Sequence, residues 1–192
     1  MKLRLINILL FCVMSTTARA EGIVAMLGND SARFFYSTQM WGQQSGPVEL
    51  ETGLLFNEDD NYLLNLGMML RNDNLESPII ISLGGRGYFA SVNDTVSTEN
   101  HKVLALGLGV EVLFVPDNMG GMGMGIHYFY APDILAGGDA EGLYEAGVKL
   151  DYQLTPQANI FLSYQLIRVD IKDRDKDLDV DEGFFLGFGI RY

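Results

Sequence analysis

Residues 183–192, GFFLGFGIRY, decide how this chain folds. Phe184, Leu186, Phe188, Ile190 and Tyr192 share one face at strict period two, and Gly183, Phe185, Gly187, Gly189 and Arg191 take the other. A half-buried strand of a soluble sheet turns polar side chains to water. Here the face opposite the apolar stripe is mostly glycine, which suits a crowded interior better than a solvated exterior. The stripe of Phe, Leu and Ile is then the outer surface, and such a surface belongs in hydrocarbon.

The same alternation recurs upstream. Val48, Leu50, Thr52, Leu54 and Phe56 oppose Glu49, Glu51, Gly53, Leu55 and Asn57, and Tyr62, Leu64, Leu66, Met68 and Leu70 form a second such face. Leu104, Leu106, Leu108, Val110, Val112 and Phe114 make the cleanest apolar face, backed by Ala105, Gly107, Gly109 and Glu111. Met122 to Tyr130, Tyr144 to Leu154 and Ile160 to Leu166 repeat the pattern, while Ser82, Gly84, Arg86 and Tyr88 fall together on a more ambiguous segment. Strands of about ten residues match what a tilted strand needs to cross a bilayer. Backbone groups at that depth must all be paired, so the sheet has to close on itself.

Residues 1–20 read as a secretory signal. Lys2 and Arg4 precede an apolar run from Leu5 to Met14, and Ala18 and Ala20 are the small residues that a signal peptidase requires. The run is too short for a spanning helix, which needs about 20 residues. Cleavage after Ala20 would remove Cys12, the only cysteine, and leave residues 21–192 as one all-β domain with no possible disulfide. The whole chain carries a net charge of −12. The signal contains Lys2, Arg4 and Arg19 but no acid, so the mature chain is more acidic still, which argues against nucleic acid as a partner.

The connections fall into two classes. Ser91 to His101, Pro132 to Gly142 and Ile171 to Glu182 read as long polar loops, whereas Gln43 to Gly46, Asn72 to Pro78, Pro116 to Gly120 and Thr155 to Ala158 read as shorter turns. Walking backward from Tyr192 puts every long loop at one end and all four turns at the other. An even count then requires Gly22 to Leu27 to be the first strand, turning at Gly28 to Ser31 ahead of Arg33 to Trp41. The expectation is a closed antiparallel up-and-down transmembrane β-barrel of ten strands, with eight as the alternative.

With its signal segment, the early Gly28-Asn29-Asp30 turn, glycine-rich strand pairs, the turn at Leu154 to Gln157, a strand ending Ser163-Tyr164 and an aromatic C-terminus, the chain resembles the YfaZ-like outer-membrane proteins. The resemblance covers nearly the whole chain and implies a place in the bacterial outer membrane, with no established activity and no functional residues to carry over. It implies that Phe188, Ile190 and Tyr192 form a signal read by the barrel assembly machinery. The expected partners are that machinery, outer-membrane lipid and lipopolysaccharide, and the expected state is a monomer.

No catalytic, cofactor or metal fingerprint is present, and no enzyme activity or cofactor is expected. Asp173, Asp175, Asp177, Asp179 and Asp181 stand at the alternate spacing used by calcium loops, but Leu178 and Phe184 occupy the positions where such a loop needs glycine and glutamate. A solvated acidic loop is the stronger reading and weak divalent-cation association the weaker. His101 lies in an expected loop and His127 on an inner face, neither beside a nucleophile. The glycines of residues 120–125 alternate along a strand and lack the lysine of a phosphate loop.

The lumen is the remaining candidate. Arg33, Glu49, Glu51, Arg71, Arg86, Glu111, His127, Glu145, Lys149, Asp151 and Arg191 are expected to face inward, and their balanced charges favour internal ion pairs. The inward glycines argue the other way by freeing volume. A structural or surface-interacting barrel and a narrow pore for small solutes are both compatible with this pattern, and a soluble calycin is disfavoured by the apolar exterior. Leu108→Arg is expected to cut the folded yield in membranes sharply, since an arginine near mid-bilayer costs about 2–4 kcal/mol. Gly109→Ser, on the inward face, is expected to be milder when both are followed by heat-modifiable gel mobility.

Overall fold

The computed structural model describes residues 20–41, 47–72, 77–93, 100–172 and 177–192. The expected signal segment, apart from Ala20, lies outside these residues. Eleven strands follow in chain order. They are β1 (Ala20–Leu27), β2 (Ser31–Trp41), β3 (Val48–Asn57), β4 (Tyr62–Asn72), β5 (Ile79–Asn93) and β6 (Asn100–Phe114), then β7 (Met122–Ala131), β8 (Ala136–Gly138), β9 (Ala140–Thr155), β10 (Ala158–Ile171) and β11 (Leu178–Ile190). Ten of them form an antiparallel ring in chain order, closed by β1 pairing with β11 from Ile23↔Ile190 to Leu27↔Leu186. The three-residue β8 continues the wall where β7 stops, pairing with Val103–Ala105 of β6 while β7 holds Leu108–Phe114. The barrel is therefore ten-stranded, and the eight-stranded alternative falls away. No helix of the described residues is long and apolar enough to cross a membrane.

The end of the barrel at which the chain terminates is called lower here. Around the middle of the wall the exterior is apolar, with Leu66, Met68, Leu83, Leu106, Leu108, Ile126, Val148, Leu150 and Leu186 all exposed. Aromatic side chains flank this band: Phe89, Tyr128, Tyr130 and Phe184 above, Phe114, Tyr152, Phe188 and Tyr192 below. Outward-facing leucine with aromatic borders is the surface that hydrocarbon and its two interfaces select.

Toward the upper end the apolar face changes sides. Along β10, Ile160 and Leu162 point outward and Ser163 and Gln165 are buried within; above a register shift between Ile167 and Arg168 the buried residues are Ile167, Val169 and Ile171, and Asp170 is exposed. Val92, Val103, Leu143, Leu178 and Val180 are likewise buried at the upper ends of their strands. Lys102 and Asp179 face out there. That is the pattern of a soluble barrel, apolar in and polar out, so β5, β6, β9, β10 and β11 rise beyond the band that suits lipid.

This reversal corrects the expected long loops. Ser91–Asn93 and Asn100–His101 are strand, β8 and β9 absorb much of 132–142, and β11 begins at Leu178 rather than after Glu182. His101 thus sits in β6, opposite Val92. A polar stretch resembles a loop in sequence wherever a strand's outer face is polar, as it is in these upper segments.

The upper rim is uneven, because β1 and β2 turn early at Gly28, where the Gly28 N–H donates to the Ser31 carbonyl at 2.8 Å. Above that turn β11 lacks a strand partner on one side, and two amides substitute for it: Asn57 and Asn61 both donate to the Val180 carbonyl, at 2.9 and 3.1 Å. The Asn61 side-chain oxygen also accepts the Asn93 N–H at 2.8 Å, which ties β4 to β5 and β11.

Inward glycines do not leave the lumen empty. Gly67 stands opposite Glu51, Gly125 opposite Lys149, Gly147 opposite His127 and Gly187 opposite Phe161 in direct register, and each glycine lies beneath that partner's side chain. A β-carbon at any of them would overlap the side chain laid across it. Gly109 obeys the same rule under Phe129, and a β-carbon there also meets the Tyr128 carbonyl, which cannot rotate away. Gly109→Ser is therefore not mild. It should lower refolding yield and urea midpoint by an amount comparable to overpacking of a core, about 1–3 kcal/mol, as read by tryptophan-independent gel-shift titration.

Candidate functional site

The carboxylate of Glu145 on β9 is fully buried inside the barrel. Two arginines reach it from different walls. Arg33 on β2 brings Nη2 to 2.8 Å from Oε1, and Arg86 on β5 brings Nη1 to 3.1 Å from Oε2. Tyr88 donates its hydroxyl to Oε2 at 2.7 Å, and His127 Nε2 stands 3.5 Å from Oε1. Strands β2, β5, β7 and β9 are thus tied together across the bore rather than along the wall.

Each guanidinium is satisfied further. Arg33 Nη1 donates to Gln165 at 2.5 Å, Arg86 Nε donates to Glu51 at 2.5 Å, and Arg86 Nη2 meets both Glu51 and Glu111, the latter at 3.0 Å. Arg33 also lies 4.5 Å over the Phe35 ring and Arg86 3.9 Å over Phe129. Taking charges out of water is costly and is offset only when such pairs and hydrogen bonds are complete. The network goes far toward that condition by using arginine, whose planar fork can face two acids and an aromatic ring at once, but it leaves Arg33 Nε without a hydrogen bond.

Above this layer the bore is solid. Leu55, Leu63, Tyr88, Val92, Phe129, Leu143, Ile167, Val169 and Val180 form one buried cluster, and none of these side chains is more than 1% exposed. Below it lies a cavity of about 660 Å³ that reaches the lower rim at Gln39, Pro47, Gln157 and Arg191. The lumen is closed on one side of the Arg33–Glu145–Arg86 layer and open on the other.

Of the residues expected to face inward, Arg33, Glu49, Glu51, Arg71, Arg86, Glu111, His127, Glu145, Lys149 and Arg191 all line this cavity. Asp151 sits beside it, accepting from Asn159 at 2.5 Å. Arg71 stands 3.7 Å from Glu49. Tyr88, Gln165, Ser163, Phe35 and Phe161 were not among the expected site residues, although each has inward parity. Period two marks them as inward, but none carries a formal charge.

The acidic run is described only from Asp177 onward. Asp173 and Asp175 lie outside the described residues. Asp177 is exposed, Asp179 is drawn into an exposed ion pair with Arg168, and Asp181 is buried beside Ser31. The three do not converge, because Asp179 and Asp181 belong to β11 and are held by separate partners, and no group of acids, histidines or cysteines among the described residues could hold a metal ion. At the chain's end, Phe188 and Ile190 face outward and Tyr192 projects past β11.

Comparison with known proteins gives one family. The model of the YfaZ precursor family matches residues 1–192. No curated protein matches the chain. Among solved structures, the outer membrane channel DcaP of Acinetobacter baumannii aligns at 10% identity and a TM-score of 0.45, covering 93% of this chain, which spans only 55% of that one. The NanC porin aligns at 11% identity and a TM-score of 0.45, covering 90% of this chain and all of its own.

Replacing Glu145 by leucine would leave the buried Arg33 guanidinium with no carboxylate at ion-pair distance and take one of three from Arg86. The expected loss is about 3–5 kcal/mol, seen as a lower urea midpoint in detergent. Glu145→Gln, which keeps the Tyr88 hydrogen bond, should fall between the two.

Proposed function

Because the chain belongs to the YfaZ precursor family and closes into a ten-stranded barrel, we propose that it is an exported, integral outer-membrane protein that does not conduct, with a structural or surface-interacting role. The observation that carries this reading is the buried apolar cluster filling the upper bore from Leu55 to Val180. A conducting pore of this width needs a continuous wet path, and packed aliphatic side chains at interior density leave none. On this reading the lower end faces the periplasm, where barrel turns are short, and the upper rim faces outward with the acidic segment before β11. The apolar band and its aromatic borders suit lipid below and lipopolysaccharide around the raised strands. Export through a cleaved signal, insertion by the assembly machinery and a monomeric state complete the proposal. Among the described residues no side-chain constellation of nucleophile, base and orienting group supports an enzyme.

The second reading is a pore, favoured by the open cavity below Glu145. Purified protein refolded into planar bilayers separates the two. The expected record has no steady unitary steps across ordinary voltages, and reproducible steps that survive repurification would overturn the closed-barrel proposal. Fractionation tests the location independently: the protein should stay in the outer-membrane pellet after carbonate washing and leave it only with detergent.

A further inference from the structure

The cavity beneath the ion-pair layer carries a chemistry that closing the barrel does not require. A barrel needs its lumen filled or wetted, and water alone would serve. Yet this space is a dead end of about 660 Å³, within the roughly 300–1,000 Å³ usual for small-molecule sites. Its polar contacts are also uneven. Glu145 is held by Arg33 and Arg86, Glu51 and Glu111 by Arg86, Glu49 faces Arg71, and Asp151 takes its hydrogen bond from Asn159. Although Glu51, Glu111 and Glu145 share two guanidinium groups and Asp151 has only an amide, each of these acids therefore has an ion-pair or hydrogen-bond partner.

Two cations do not. Lys149 and Arg191 have no carboxylate within 4.0 Å among the described residues. Lys149 is the deeper one. Its alkyl stem lies across Gly125, and its ammonium stands 5.9 Å from the centre of the Phe161 ring. Directly opposite Lys149 in register is Ser163, a residue of the cavity wall buried at 4% exposure, whose hydroxyl has no hydrogen-bond partner. Much of the remaining wall is apolar, from Val24, Phe35, Phe161, Ile80 and Leu113.

We propose that this cavity binds a small organic monoanion with an apolar, preferably aromatic, body, its carboxylate meeting Lys149 and Ser163. A cationic ligand seated against Phe161 would face the Lys149 ammonium. Inorganic phosphate would leave the aromatic wall unused and would meet a single deep cation. An aromatic carboxylate satisfies all three surfaces: the charge on Lys149, the hydroxyl of Ser163 and the faces of Phe35 and Phe161. The mouth opens to the periplasm only on the outer-membrane reading above, but binding itself does not depend on it.

The test uses full-length mature protein in lipid nanodiscs, with empty nanodiscs as the blank, titrated with phenylacetate, benzylamine and inorganic phosphate by saturation-transfer NMR. Phenylacetate should bind saturably, and neither benzylamine nor phosphate should. Lys149→Gln should weaken phenylacetate roughly tenfold or more, the loss of a charge-assisted contact. Lys149→Arg, which keeps the charge should the glutamine variant fold poorly, should retain binding within a few fold. Equal binding of benzylamine, unchanged affinity in Lys149→Gln, or no saturable phenylacetate signal in the wild-type protein would each overturn the proposal. Because the protein is purified, a negative result leaves the location of the barrel untouched, and mislocalisation in cells leaves the binding result standing.

Discussion

In hydrocarbon no water is present to take up an unpaired N–H or C=O, and each one left open costs several kcal/mol. That single constraint explains why β1, only eight residues long, must nevertheless find β11, and why the ring is complete. Once the ring is closed its bore has a fixed width set by strand number and stagger. The interior then has to be filled by side chains that project from a wall unable to move inward. The pairing of glycine with a large cross-strand neighbour is the result: Phe161 over Gly187 and His127 over Gly147 lie flat along the wall, and the bore accommodates more atoms than ten strands of ordinary residues would allow.

On the outer-membrane reading the same constraint relaxes above the apolar band. Where β5, β6, β9, β10 and β11 pass out of the band suited to lipid, exposed backbone and side chains can be solvated, and the barrel reverts to apolar-in packing. The reversal at Ile167 and Arg168 places the upper boundary of the lipid-facing wall along β10. At the same boundary Asn57 and Asn61 can serve in place of a strand, because a side-chain amide at the rim satisfies the Val180 carbonyl without needing a continuous ladder.

Much of this was legible in the sequence, for reasons that also mark where legibility stops. Period two assigns each residue a face, so the outward run from Leu104 to Leu108 and the inward placement of Glu145 followed from parity alone. Strand count followed from the requirement that Tyr192 and the first strand lie at the same end. Parity carries no information on stagger, however, and stagger decides which inward residues meet across the bore. Nothing in the spacing of Arg33, Arg86 and Glu145 showed that both arginines would reach one carboxylate, or that Phe129 would lie over Gly109. The polar upper strands misled for a simpler reason: Asp170 and Asp179 point to water, and a charged stretch read without knowledge of the bilayer boundary looks like a loop.

The ion-pair layer lies where it does because it has to face two media. Arg33 and Glu145 are shut away from solvent, while Glu111 and His127, lower in the same network, keep 37% and 20% of their side chains exposed to the cavity. A fully dry network of this size would carry a large desolvation cost, and a fully wet one would not hold strands across the bore. Set between an apolar core and an aqueous cavity, the network keeps its lower acids partly hydrated and its upper contacts in a low dielectric, where they are strongest. The apolar core above removes competing water from Glu145, and Glu145 in turn fixes Arg33 and Arg86 beneath that core. Closure of the upper bore and openness of the lower one are thus two sides of one electrostatic arrangement, and the unpaired Lys149 stands on the side where water, or a ligand, can reach it.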